Sequence, residues 1–176
     1  MTVSIPIQEP GDFALTKIRG MAGAFVSAGQ WLIGDAAPVH HAFVYVGDGL
    51  VVQGMPGGAE LIRLEDASPV VEWSTGRFDL TDWQRDVIVD EALRLVGTPY
   101  SFLDYASIAL AHYDVRPRVL RDFVASTGHM ICSQLVDEVY RRAGVHFFDD
   151  GRLPGDVTPG DLHRVLRCQT GTCHGG

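Results

Sequence analysis

Cys132, His41 and Gln53 are the side chains whose types and spacing could do covalent chemistry. Cys132 lies in Ile131-Cys132-Ser133-Gln134-Leu135-Val136, where a loop-like stretch turns into an amphipathic helix. A thiol at a helix N-terminus meets unpaired N–H groups and the positive end of the helix dipole. Both favour the thiolate, the nucleophilic form. Such a nucleophile needs a base, commonly histidine, and the base needs a group that orients it. The chain has seven histidines. His40 and His41 open a β-branched and aromatic run over Val39–Val46, followed by Gly47-Asp48-Gly49 and the return segment Leu50–Gln53, a hairpin pattern. Pairing around that turn sets Val46 opposite Leu50 and Phe43 opposite Gln53. Alternation then puts His41, Phe43 and Tyr45 on one face with Val51 and Gln53. Gln53 becomes a diagonal neighbour of His41, and its amide oxygen can accept from the imidazole and fix the tautomer. His40 points to the other face. A lone cysteine at a helix start is commonly a small buried residue, so spacing alone leaves both readings open.

The elements that must position these residues can be read along the chain. Pro10-Gly11-Asp12 is a turn and Phe13-Ala14-Leu15 a short strand. Residues from Gly20 to Ile33 read as a helix. Glu60–Leu64 and Val70–Trp73 read as further strands, with Gly54 to Gly58 as a tight or bulged corner. Thr81-Asp82-Trp83-Gln84 is a capping box opening a helix with the stripe Ile88, Val89, Ala92, Leu93 and Val96, closed by Gly97. Phe102–His112 and Arg116–Val124 read as helical, and Ser126–His129 as a loop. Cys132–Ala143 is the last clear helix. Cys132, Val136 and Tyr140 share one side of it, and Asp137, Glu138, Arg141 and Arg142 fill the other. A sheet-forming middle flanked by helices predicts an α+β fold.

The bulk properties narrow the partners. At 176 residues and 46% hydrophobic, the chain suits one domain, expected over 1–165 with a flexible tail over 166–176. A net charge of −8 gives no basic footprint for nucleic acid. No apolar run reaches membrane-spanning length. No leader is recognisable, which predicts a cytoplasmic location by default or export by an unseen route. Three cysteines argue against a disulfide scaffold. Cys168 and Cys173 could form a local disulfide or join His174 at a metal, and a frayed Gly-rich tail is the blander reading.

Gly97-Thr98-Pro99-Tyr100, followed by Cys132-Ser133-Gln134-Leu135-Val136 and a helix ending Arg142-Ala143-Gly144, resembles the nucleophile region of NlpC-type cysteine peptidases. Those are papain-like enzymes that cut amide bonds in bacterial cell-wall peptides. Pro10-Gly11-Asp12-Phe13, the run from His41 to Gly49, and Val51-Val52-Gln53 are similar to the family's histidine half. Here the histidine half precedes the cysteine half. That order matches the circularly permuted branch, which also resembles lecithin:retinol acyltransferase-like proteins.

The resemblance covers most of residues 10–165. It implies a papain-like antiparallel sheet packed against helices, Cys132 as nucleophile, His41 as base and then acid, and Gln53 as the orienting residue. Tyr100 matches a tyrosine that would bind substrate or stabilise the oxyanion. The backbone N–H of Cys132 is an expected oxyanion donor. The long insertion between Tyr100 and Cys132, with Tyr105, His112, Tyr113 and Phe123, is expected to wall or cover the site. The implied activity is amide hydrolysis in peptidoglycan-type peptides, with no metal and no organic cofactor. Two alternatives stay open: an acyltransferase or lipid-acyl hydrolase on the same fold, and a catalytically inactive binding module.

Overall fold

The computed structural model describes residues 7–17, 38–55, 58–97, 129–151 and 157–168. Its centre is an antiparallel sheet of five strands: β1 (Phe13–Thr16), β2 (His41–Gly47), β3 (Leu50–Met55), β4 (Gly58–Arg63) and β5 (Val70–Trp73), in the order β4-β3-β2-β1-β5. Three helices accompany it: α1 (Asp82–Leu95), α2 (His129–Arg142) and α3 (Pro159–Cys168). The fold is therefore α+β, as the pattern of elements predicts.

The β2–β3 hairpin closes at Asp48 and Gly49, both at positive φ (51° and 71°), as a two-residue hairpin turn requires. Gly47 pairs with Leu50, so Val46 is not opposite Leu50 as the sequence suggests. An irregularity between Tyr45 and Gly47 absorbs the extra residue. Upstream of it Phe43 faces Gln53, the expected register. The faces of β2 are thereby preserved.

Alternation divides the sheet into two faces. Phe13, Leu15, Ala42, Val44 and Val52 pack with Ile88 and Ala92 of α1, Leu135, Val136, Val139, Tyr140 and Ala143 of and beside α2, and Leu162 and Leu166 of α3. Ala14, Phe43 and Val51 form a second cluster on the opposite face, with Tyr45, Ile62 and Trp73 against it.

The helices meet expectation in part. α1 has the capping box: the Thr81 hydroxyl accepts from the Gln84 N–H, and the Gln84 side chain accepts from the Thr81 N–H. Its buried positions are Ile88 and Ala92, flanked by Val87, Leu95 and Val96, whereas Leu93 is exposed. α2 begins at His129, upstream of Cys132, so His129 is not loop. Asp137, expected on a solvated face, is buried. α3 is a further helix beyond the one read as last, and it runs to Cys168, so Leu166 is a core residue where a tail was expected. Its start is fixed by a reciprocal cap. The Thr158 N–H donates to Asp161 Oδ2 over 2.9 Å, and the Asp161 N–H donates to Thr158 Oγ1 over 3.1 Å. Pro159 occupies the first turn, where its missing N–H costs nothing.

The turn before β1 joins these layers. Gly11 has φ 91°, and its N–H donates to the Tyr45 carbonyl. Asp12 is buried and accepts from Arg85 Nη1 over 3.0 Å, from Thr75 Oγ1 over 2.8 Å and from the Glu9 N–H over 2.9 Å. One carboxylate thus ties β1, the segment after β5 and α1 together.

The proposed helices over 20–33, 102–112 and 116–124 lie outside the described residues. So do Tyr100, Tyr105, His112, Tyr113, Phe123, Cys173 and His174.

Candidate active site

β2 supplies His41 at its first residue, and β3 supplies Gln53. The offset register makes them diagonal neighbours on the face that also carries Phe43. His41 Nε2 and Gln53 Oε1 are 2.8 Å apart, a buried hydrogen bond in which the ring nitrogen donates to the amide oxygen. The Gln53 amide nitrogen donates in turn to Glu60 Oε1 over 2.7 Å, and Glu60 is the direct partner of Gln53 across β3 and β4. Sequence reading did not single out Glu60.

α2 packs against β2 and β3 and brings in the thiol. Cys132 is fully buried, takes part in no disulfide, and is hydrogen-bonded to the His41 side chain. With Nε2 engaged by Gln53, Nδ1 is the ring nitrogen left for the thiol. Cys132, His41 and Gln53 are therefore brought into one hydrogen-bonded line that ends at Glu60.

Opposing effects act on the charge of His41. Burial works to lower its pKa. The facing Cys132, by charge and by hydrogen bond, the bond to Gln53 and the charge of Glu60 all work upward, and the net shift is a rise. Among the described residues, Cys132 and Glu60 are the ionisable groups acting on it. The site thus favours imidazolium despite the burial.

One expectation is overturned. Cys132 was expected to open its helix and to offer its own N–H to an oxyanion. With His129 as the first helical residue, Cys132 is the fourth. The N–H groups left open at a helix start belong to the cap and the first three residues, so they lie upstream of Cys132. The thiol still lies at the N-terminal end of α2, where the dipole acts.

One further residue bears on the site. Thr16 pairs directly with His41 across β1 and β2, and its hydroxyl is buried with no hydrogen-bond partner among the described residues. His40 is buried as well. Cys168 is disulfide-bonded at the end of α3. Among the described residues no helix is long and apolar enough to cross a membrane, and no cluster of His, Cys, Asp and Glu could hold a metal ion.

The arrangement can hold a proton between sulfur and imidazole and keep the ring in one orientation. A thiol, a base and an orienting group are the parts that nucleophilic acyl chemistry needs. No protein-family model matches the chain, and no curated protein matches it.

Proposed function

We propose that the chain is a circularly permuted papain-like cysteine hydrolase of NlpC type, cleaving an amide bond through an acyl-enzyme on Cys132, in peptidoglycan-type peptides. The observation that carries this reading is the hydrogen-bonded line from Cys132 through His41 to Gln53. A merely structural cysteine has no need of a base held in one orientation.

In the proposed reaction His41 takes the Cys132 proton at Nδ1, and the thiolate attacks the carbonyl carbon. The tetrahedral intermediate collapses as His41 protonates the leaving amine, giving a thioester. Water then attacks the thioester with His41 as base, releasing the carboxylate and restoring the thiol. Gln53 holds the ring through both steps. The motif resemblance gives Tyr100 a part in substrate or oxyanion binding. The mechanism calls for no metal or organic cofactor.

The full burial of Cys132 favours a second reading, a binding module on a catalytically inactive papain-like scaffold. Acyl transfer to an acceptor other than water is a third outcome of the same thioester.

Intact-mass spectrometry decides among them. The full chain is incubated with cell-wall peptide fragments and, separately, with acyl-lipids. Hydrolysis of the peptides, with an acyl adduct absent in Cys132→Ala, is the expected result. An adduct formed from acyl-lipids alone would select the acyltransferase or lipid-hydrolase reading. Failure of both substrate classes to react, with Cys132 alkylation indifferent to His41→Ala, would sink the hydrolase.

A further inference from the structure

We infer that Glu60 is a positioning residue for His41: acting through Gln53, it dictates which imidazole nitrogen carries the proton and which faces the thiol with a lone pair. The catalytic meaning of this rests on the hydrolase reading, while the hydrogen-bond logic stands on geometry alone.

A glutamine amide has a donor end and an acceptor end and can turn over. A carboxylate can only accept. Because Gln53 lies directly across from Glu60, its nitrogen is drawn to the carboxylate over 2.7 Å, and its oxygen is thereby turned toward His41 Nε2 at 2.8 Å. That oxygen can only accept, so Nε2 must carry hydrogen. In the neutral ring Nδ1 is then the acceptor, the form able to take a proton from sulfur. If position 60 no longer offers an acceptor-only group, the amide can rotate and present its NH2 to Nε2. Nε2 then becomes the acceptor, Nδ1 holds the hydrogen, and the thiol loses its base. Glu60 is exposed, so its charge is screened by solvent. Its directional hydrogen bond matters more than its Coulomb attraction.

The test uses the full chain labelled with 15N-histidine, read by long-range 1H–15N spectra above the His41 titration midpoint. Wild type is expected to show His41 protonated at Nε2. Glu60→Gln and Glu60→Ala are expected to populate the Nδ1–H form and to slow alkylation of Cys132 by iodoacetamide about tenfold or more. The other histidine signals check that each variant is folded. Identical His41 tautomers in wild type and both variants would overturn the inference. If that occurs while His41→Ala still slows alkylation, Glu60 fails and the cysteine–histidine pair stands. If His41→Ala has no effect, the hydrolase reading fails, and the tautomer spectra still judge Glu60.

Discussion

Tyr140 donates its hydroxyl to the backbone carbonyl of Gly11 over 2.7 Å, joining the helix that bears Cys132 to the turn that launches β1. Both ends of the bond are buried, and the ring packs edge-on against Phe13 at 5.5 Å between centroids. Burial holds the phenol well above its usual range, so it stays a donor at all working pH values.

Tyr140→Phe keeps the ring and deletes the donor, leaving the Gly11 carbonyl without that partner. A loss of about 1–3 kcal/mol is expected. Urea unfolding of the two proteins measures it. An unchanged midpoint would mean that the bond contributes no net stability.

Gly11→Ala attacks the same junction from the backbone. The residue sits at φ 91°, and an added Cβ would lie 3.2 Å from the Arg85 Cα. Strain and crowding act together, so a destabilisation of roughly 1–3 kcal/mol is expected. Thermal melting reads it, and a variant as stable as wild type would contradict the account of this turn.

The Cys132–His41 pair predicts a pH signature. The folded His41 pKa is raised above 6.5. The protonated ring therefore adds stability that is fully present below the unfolded value and is lost as pH rises through the folded value. Cys132→Ala removes the largest upward influence and leaves burial opposed only by the Gln53 bond and the Glu60 charge, so the pKa falls. The stability gap between wild type and variant should widen as pH falls from about 8 to about 5. NMR titration of His41 should show its midpoint drop in the variant. A constant gap and an unmoved midpoint would rule out coupling between the two groups.

The cap of α3 predicts the opposite sign. Burial tends to raise the Asp161 pKa, but the bonds from the Thr158 backbone and side chain and from Arg164 outweigh it, and the net shift is downward from 3.8. Its contribution is present above the unfolded value and lost as pH falls through the folded one. Asp161→Ala should cost about 1 kcal/mol at pH 7, and less as pH falls below the folded value. Urea midpoints at neutral and acid pH provide the check. An equal cost at both would place the effect in packing rather than charge.

The site was legible where period and turn chemistry act locally. Hairpin pairing found Gln53 beside His41 despite the displaced residue at Val46. Glu60 escapes such reading because its role depends on the register of a second hairpin, whose Gly-rich corner at Gly54–Gly58 is compatible with both tight and bulged forms. Pairing Met55 with Gly58 fixes Glu60 opposite Gln53. The start of α2 was misplaced because residues up to His129 read as loop, whereas that residue is helical. α3 was passed over because Pro159 and Gly160 resemble breakers. The signal that could have found it is Thr158 three residues before Asp161, a cap with proline in its tolerated place. Function lies beyond this kind of reading, since hairpin register and helix caps set an imidazole beside a thiol but do not say what the pair acts on.

The β2–β3–β4 meander carries His41, Gln53 and Glu60 on strands joined by short connections, whereas Cys132 comes from a helix far along the chain. Neighbouring strands close small loops, and the thiol must close a large one. The base and its supports are thus expected to assemble early in folding, and sulfur to arrive late. Pulsed thiol labelling during refolding should therefore act as a clock for this docking: protection of Cys132 that precedes strand formation would reverse the order.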